Sequence, residues 1–385
     1  MLMLSNKRFL IFIAGWFFCV TVLLFGMTTR AYAINCSAAN QTPEVFTVTI
    51  AGNLSVGADI PVGSTMYRAT ITQATNTGIQ CDATFNVTNY YSVSSQPSGP
   101  AFSLSMADLT GPVYPTNVPG VGVAVWYASQ TFSLDNPKAV GNYSRTGAGP
   151  AVYKRAFDFS LIKTGPINAS VSVQGSSFPT VITYAAATSG YTGLPITTLR
   201  VNFNGSMNLT VPTCTINDQT IKLGSVDLKK TFTGPGSVTG WVDSSIQLKN
   251  CPTFFGFYGQ SKAQGITGAG TPSGGTRRSN MITVSLNPLT DFLSINDGIF
   301  AVTGTNDDSD AAKGVGIQLG YSPDINAQPT SPTTIWKQGV TWDLTMPSDG
   351  SVNLRIPLAA RYYQTAARVT SGVANAKVVF TLTYK

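Results

Sequence analysis

The chain has 385 residues, a formal net charge of +7 and no histidine, and only 11% of its residues are charged. The absence of histidine removes the usual general base of nucleophilic triads and a common zinc ligand, and the 17 acidic residues are scattered. Basic residues cluster no further than pairs such as Lys229 and Lys230, which is not the basic stripe of a nucleic-acid-binding protein. Composition therefore predicts no enzyme, no cofactor or metal, and no nucleic-acid partner.

The first 33 residues have the layout of a secretory signal peptide. Basic residues precede an apolar run from Phe9 to Met27, and Ala31–Ala33 forms a small-x-small cleavage site. The run is long enough that an uncleaved membrane anchor is the alternative. The cleavage site and the strand-like sequence that follows favour cleavage before Ile34. We therefore predict that residues 1–33 are a signal peptide and that the chain is exported.

Short segments with strand character follow the signal, separated by clusters of Gly, Pro, Asn and Ser. None has the apolar period of an amphipathic helix, so the pattern predicts an all-β fold made of sandwiches or barrels. The predicted strands are Val45–Ile50, Thr65–Thr70, Thr84–Tyr91, Gly122–Tyr127, Ala156–Lys163, Ala169–Val173, Thr198–Phe203, Ile221–Leu223, Ser245–Leu248, Met281–Leu286, Gly316–Leu319 and Val352–Leu358. Pro357 lies within the last of these, where it indicates an edge or a bulge.

Four cysteines remain after the signal: Cys36, Cys81, Cys214 and Cys251. An even number in an exported chain predicts disulfides, and four cysteines permit three pairings. Their distribution favours the local pairing, Cys36 with Cys81 and Cys214 with Cys251, which gives each half of the chain its own bridge. A proline-containing break at residues 211–213 lies between the pairs. The chain therefore divides into predicted domains of residues 34–211 and 212–385.

The last fourteen residues, from Gly372 to Lys385, have a period of two. Apolar or aromatic side chains occupy the alternate positions Ala374, Ala376, Val378, Phe380, Leu382 and Tyr384. This pattern predicts a β-strand with one face in a core. Because neither a turn nor a partner strand follows it, the strand is expected to leave an open edge. An ordinary closing strand of a sandwich has the same alternation and stays an alternative.

Gly372, the alternation after it and the aromatic Tyr384 next to last resemble the C-terminal signature of chaperone–usher fimbrial subunits. The blocks Gly314–Gln318 and Ala360–Tyr362 extend this resemblance over the second half. It implies an incomplete immunoglobulin-like pilin domain whose missing strand is supplied first by a periplasmic fimbrial chaperone and then by the next fimbrial subunit. It also implies an outer-membrane usher as a partner, and Gly372 through Lys385 as the edge that the donor strand pairs with.

The first half resembles, less specifically, the receptor-binding domain of two-domain tip adhesins, most of all the type 3 fimbrial adhesin. The segments that carry this resemblance are CDATFNV from Cys81, VPGVGVAVWY up to Tyr127, and FDFSLIKTG from Phe157. Only Ile34 and Asn35 lie between the predicted cleavage site and the first cysteine, which leaves no donor strand for a neighbour. We therefore expect the chain to end the polymer, at the fimbrial tip on the cell surface.

The resemblance implies that the first half is lectin-like and binds a host glycan or an extracellular-matrix protein. Sugar sites combine an aromatic face with amide, carboxylate and guanidinium groups carried on loops. First-half residues with this chemistry are Asp82, Tyr91, Trp126, Tyr127, Asn142, Tyr143 and Arg145. Asn142, Tyr143 and Arg145 lie in a glycine-bounded stretch and are the first candidates, whereas Trp126 has a core alternative. The sequence as a whole predicts a fimbrial tip adhesin; the alternative is a minor structural or adaptor subunit without a host receptor.

Overall fold

The computed structural model describes residues 32–168, 170–261, 263–305 and 308–385. Nearly all of the predicted signal peptide lies outside the described residues, and so does Ala169 at the start of one predicted strand. No helix in the described ranges is both long and apolar enough to cross a membrane. The described chain is built almost wholly of strands and turns, so the all-β prediction is confirmed.

The first half forms a sandwich closed at one end by a small third sheet. Its strands are β1 (Ile34–Ala38), β2 (Glu44–Ile50), β3 (Asn53–Ser55), β4 (Thr65–Thr72), β5 (Thr77–Cys81), β6 (Phe85–Ser95), β7 (Phe102–Ser103), β8 (Pro112–Pro115), β9 (Val121–Tyr127), β10 (Gln130–Thr131), β11 (Lys138–Arg145), β12 (Gly149–Tyr153), β13 (Ala156–Lys163), β14 (Ser170–Gln174), β15 (Thr180–Ala185), β16 (Tyr191–Thr192) and β17 (Ile196–Thr210). A short 3-10 turn at Gly175–Ser177 precedes β15.

Two large sheets enclose the core of the first half. One contains β4, β13, β9, β8 and β7 in that order, and the other contains β11, β6, β15, β17 and β14, with β2 and β3 parallel to β17. Alternate side chains such as Tyr67, Phe157 and Phe159 fill the space between the sheets. The small sheet orders β12, β5, β1 and β16, and the Cys36–Cys81 disulfide joins two of its strands.

The second half forms a smaller sandwich. Its strands are β18 (Val242–Asp243), β19 (Ile246–Leu248), β20 (Gln264–Thr267), β21 (Met281–Pro288), β22 (Phe292–Ser294), β23 (Ile299–Ala301), β24 (Val315–Tyr321), β25 (Thr334–Ile335), β26 (Thr341–Thr345), β27 (Leu354–Ile356), β28 (Leu358–Gln364) and β29 (Val378–Tyr384). Short helical turns occur at Leu228–Thr231 and Asp308–Asp310. One sheet orders β18, β28, β24, β23 and β22, another orders β26, β21 and β29, and β19 pairs with β27. A disulfide joins Cys214 and Cys251.

The strands differ from the sequence prediction in two informative places. Residues Ile221–Leu223 form no strand, and Ile221 is 39% exposed; within the described ranges, no strand pairs with this segment. Pro357 separates β27 from β28 and so ends one strand, in keeping with its missing backbone N–H.

One segment of the second half is built into the first sandwich. Strand β20 runs parallel to β4 and is thereby the edge strand of a first-half sheet. Phe257, Tyr258 and Ile266 are buried in the first-half core. Strand β20, together with Phe257 and Tyr258, therefore packs with the first sandwich, although the predicted division at residue 212 assigns these residues to the second domain. Sequence patterning missed this because β20 is only four residues long and its partner strand lies far away in the sequence.

Candidate strand-acceptor groove and interdomain cleft

Among the described residues, β29 pairs with another strand on one side only. It runs antiparallel to β21, from Val378 opposite Pro288 to Tyr384 opposite Ile282, and it lies at the end of its sheet. Beyond this pairing, Lys385 exchanges backbone hydrogen bonds with Met281, at 2.8 and 2.9 Å. The hydrogen bonds that pair the tail with β21 therefore come from its odd-numbered residues.

The even-numbered residues of the tail point their backbone groups the other way, toward the open side. Along a strand, side chains point alternately to the two faces of the sheet, and backbone N–H and C=O groups point alternately to the two sides where a neighbouring strand can pair. The even-numbered residues of the tail therefore turn their side chains toward the core and their backbone groups toward the open edge. We call Ala374, Ala376, Val378, Phe380, Leu382 and Tyr384 the acceptor edge. Its first five side chains are half-buried, only Tyr384 is buried, and the intervening Val379 is 49% exposed.

The core beneath the acceptor edge is incomplete. Ile216 and Leu223 lie on the irregular segment that precedes the short helical turn, and both pack half-buried against the second core. The first core has few such half-buried neighbours, whereas the second core has many. Apolar side chains that stay half-exposed beside unpaired backbone groups form a groove suited to an extended peptide with alternating apolar residues.

Both ends of the tail are held in place. A Cβ on Gly372 would lie 2.5 Å from the Ala312 backbone nitrogen, so the chain packs too closely there for a side chain. At the other end, the Tyr384 hydroxyl accepts a hydrogen bond from the Cys214 N–H at 3.2 Å. Burial raises the pKa of the Tyr384 phenol, which keeps it neutral. The tail is thus fixed as a template for a partner strand.

A cleft of about 1190 Å³ lies between the two halves. Arg68 lines it: its Nε donates to Asp158 Oδ1 at 3.1 Å, and its guanidinium also donates to the Gln260 carbonyl at 2.6 Å. The guanidinium carbon lies 4.5 Å from the centre of the Trp126 ring. Tyr127 lines the same cleft and is 39% exposed. The cleft therefore offers one accessible aromatic ring beside charged and hydroxyl groups.

Two aromatic candidates from the sequence are core residues. The Trp126 side chain is 4% exposed, its indole N–H donates to Ser160 Oγ, and Arg68 covers its ring, so the ring face is not free for a sugar. Tyr91 is fully buried and donates to the Ala156 carbonyl at 2.7 Å. Trp126 therefore follows its core alternative, and Tyr91, for which the sequence analysis gave no such alternative, is also a core residue.

The stretch with Asn142, Tyr143 and Arg145 is strand β11 rather than a loop. Alternation along this strand turns Tyr143 into the protein, where its hydroxyl donates to Thr198 Oγ1 at 3.2 Å and burial raises its pKa. Asn142 and Arg145 are exposed, and Arg145 folds back onto the carbonyl of Ala148. The prediction that Tyr143 is accessible is therefore wrong, although Asn142 and Arg145 stay candidates.

Asp82 has a structural contact near the first strand. Its Oδ1 accepts a hydrogen bond from the Asn35 N–H at 2.9 Å, beside the Cys36–Cys81 bridge. The structure therefore separates the candidates: Asp82 lies beside the small sheet, Asn142 and Arg145 lie on β11, and Trp126 and Tyr127 lie at the interdomain cleft.

Replacing Tyr143 by alanine is expected to reduce stability rather than binding. Removing a large buried side chain costs about 3–5 kcal/mol, whereas Tyr143→Phe loses only the hydroxyl bond to Thr198, about 1 kcal/mol. Chemical denaturation of both variants checks this order. Equal stability of Tyr143→Ala and the wild-type protein would contradict the buried placement.

Comparisons with known proteins agree with the sequence resemblance. The family model for fimbrial protein matches residues 201–385. A fimbria adhesin protein of Klebsiella pneumoniae is 25% identical over 364 residues, which cover 93% of this chain and 95% of that protein. A solved tip adhesin, CupB6 from Pseudomonas aeruginosa, is 14% identical, with a TM-score of 0.34 over 91% of this chain and 94% of its own. The receptor-binding domain of the adhesin MrkD1P of Klebsiella pneumoniae is 20% identical, with a TM-score of 0.29 over 48% of this chain and 99% of its own.

The identification rests on the two sequence matches. The family model covers the whole second sandwich, and the Klebsiella protein aligns along both halves. Such proteins are adhesive and structural components of the cell surface, not enzymes. The second half of the chain therefore matches the fimbrial protein family, and the chain as a whole is similar to a fimbria adhesin, in agreement with the resemblance read from its sequence.

Proposed function

We propose that the chain is a fimbrial tip adhesin that accepts a strand along the acceptor edge and binds a host surface through its first half. A periplasmic chaperone supplies the strand at first, and the next fimbrial subunit replaces it at the outer-membrane usher. The observation that carries this proposal is the open side of β29, with unpaired backbone groups above a half-filled apolar core.

Energetics favour a donated strand at this position. Each backbone hydrogen bond that forms contributes about 0.5–1.5 kcal/mol net, and each apolar side chain that becomes fully buried contributes about 1.5–3 kcal/mol. A strand that pairs along Ala376, Val378, Phe380 and Leu382 gains several of both. A single isolated pair of strands is only marginally stable, so the apolar core supplies most of the affinity.

The test is refolding of the full-length chain with and without a synthetic peptide of alternating valine and threonine. With peptide at a hundred times its dissociation constant, stability should rise by about 2.7 kcal/mol. Without peptide, we expect aggregation through the open edge. A monodisperse, stable chain without peptide, and no gain on adding it, would contradict strand acceptance.

For receptor binding, we propose the mouth of the interdomain cleft around Tyr127. Its ring is accessible, and hydroxyl, amide and charged groups lie beside it, which is the combination that sugar recognition uses. A glycan array and a panel of extracellular-matrix proteins, probed with the peptide-complemented chain, test this role. If nothing on either panel binds, the alternative of an adaptor subunit without a host receptor is favoured.

Replacing Tyr127 by alanine is expected to weaken receptor binding at least about tenfold, because aromatic anchors dominate such contacts. Tyr153→Ala is the matched control, since that ring is 40% exposed and does not line the cleft. Dissociation constants for the receptor found in the screen decide the outcome. Equal losses in the two variants would exclude the cleft as the site.

A further inference from the structure

We propose that Asp59, in the first half, closes the last position of the acceptor edge and thereby sets where an incoming strand must stop. This inference rests on the proposed strand acceptance and assigns a role to a first-half loop in assembly. The loop consists of residues 57–60, and it meets the strand end at Tyr384.

Asp59 makes the two hydrogen bonds to Tyr384 that a residue of a partner strand would make. The Tyr384 N–H donates to Asp59 Oδ2 at 2.8 Å, and the Asp59 N–H donates to the Tyr384 carbonyl at 3.1 Å. A neighbouring strand would offer the same pair of groups, with a backbone carbonyl in place of the carboxylate. The outward-facing backbone groups of Tyr384 are therefore satisfied, unlike those of Leu382 and Phe380, for which the described residues show no such partner.

Gly57 leaves no room for a further strand at this end. A Cβ on Gly57 would lie 2.2 Å from the Tyr384 carbonyl oxygen and 2.5 Å from the Lys385 Cα. The first-half backbone is thus pressed against the outer side of the strand end. An extended peptide that continued past Leu382 would have to occupy the same space.

Hydrogen bonds hold the loop of residues 57–60 in place against the strand. Lys163 is 7% exposed, and its ammonium group donates to the carbonyls of Ala58 and Ile60, on either side of Asp59. On the other side of the junction, Asn280 precedes β21 and donates to the Ser55 carbonyl at 3.0 Å. Displacing Asp59 therefore disturbs contacts that join the two halves.

The consequence is a groove with a fixed end. An incoming strand with alternating apolar side chains pairs with Ala376, Val378, Phe380 and Leu382 and ends there. A strand that reached Tyr384 would have to expel Asp59 and loosen the junction. The first half thus limits the register of whichever strand fills the groove.

The experiment compares three synthetic peptides of alternating valine and threonine on the full-length chain. The short peptide reaches Leu382, and each of the two long forms carries two more residues at one end, so that one of them continues past Leu382. Wild-type protein should bind the short peptide and the form extended past Leu382 with the same dissociation constant, within about twofold. In Asp59→Ala the Tyr384 N–H becomes free, whereas the N–H of residue 59 can still donate to the Tyr384 carbonyl. The form extended past Leu382 should therefore bind about three- to tenfold tighter than the short one, through one more backbone hydrogen bond.

Two control variants test whether the Asp59 side chain is what limits the length of the bound strand. Asp59→Asn keeps a side-chain oxygen that accepts from Tyr384, so it should behave like the wild type. Asp108→Ala removes a carboxylate from the same cleft without touching β29 and should also leave the length dependence unchanged. Equal preference for the form extended past Leu382 in the wild type and Asp59→Ala, or none in Asp59→Ala, overturns the inference. If none of the peptides binds any variant, the proposed strand acceptance itself fails.

A second measurement needs no variant. In the wild-type chain without peptide, the Tyr384 amide should exchange with deuterium at least about tenfold more slowly than the Leu382 amide, because Asp59 already accepts its hydrogen. Equal exchange at the two amides would overturn the closed end, whether or not Asp59→Ala folds.

Discussion

Replacing Ile266 by alanine is expected to destabilise the first sandwich by about 2–5 kcal/mol, although Ile266 lies in the second half of the sequence. The side chain is 2% exposed and lies in the first core, on the edge strand that runs beside β4. Truncation leaves a cavity in a core that cannot fully collapse. Chemical denaturation of the peptide-complemented chain measures the loss.

Ile295→Ala is the matched control for this prediction. Ile295 is the same residue type in the same half of the sequence, but it is 57% exposed, so its truncation should change stability by no more than about 0.5 kcal/mol. Similar losses in both variants would show that Ile266 is not part of a buried core.

The same contacts make a fragment of residues 34–211 a poor stand-in for the first domain. That fragment lacks Phe257, Tyr258 and Ile266, each worth about 1.5–3 kcal/mol of burial. Their sum is comparable with the whole stability of an ordinary domain, about 5–15 kcal/mol. We therefore expect the fragment to be marginally stable.

The second large effect is expected on the acceptor edge. Phe380→Asp places a charge where an incoming strand would bury it without a partner, so peptide binding should weaken more than about a hundredfold. Val379→Asp adds the same charge to the next residue of the strand, whose side chain is 49% exposed on the opposite face. Its binding should fall less than about threefold, because the charge stays in water.

This pair of variants separates the groove from general damage to the strand. Both substitutions put aspartate into β29, and both lower its β-propensity alike. Dissociation constants for the alternating valine–threonine peptide give the comparison. If Val379→Asp and Phe380→Asp weaken binding equally, the peptide does not bind along the apolar face of the edge.

Local alternation was sufficient to predict strand β29, because the signal lies within one segment, although the strand begins at Val378 rather than near Gly372. The apolar alternation from Ala374 to Tyr384 indicates which side chains face the core, and strand geometry then indicates which backbone amides face the open edge. The same rule misled at Tyr143: the glycines around β11 suggested a loop, whereas the strand continues and turns that ring inward. Composition indicates turns well, but it does not distinguish a glycine in a strand from one in a loop.

The contacts between the two halves could not be predicted from the sequence. Strand β20 and the loop that carries Asp59 act through partners more than a hundred residues away, and neither has a pattern of its own. Trp126 illustrates the same limit: its burial depends on Arg68 lying over its ring, and Arg68 comes from a different strand. Such pairings are decided by tertiary packing rather than by local propensity.

Residue-resolved amide exchange along β29 tests the central claim most directly. Without a donated strand, the amides of Val378, Phe380 and Leu382 should exchange rapidly, whereas those of Val379, Thr381 and Thr383 should be protected by pairing with β21. Adding the alternating valine–threonine peptide should slow the first set and leave the second set unchanged. Protection of both sets before any peptide is added would show that the strand is already paired on both sides, and the account would be wrong.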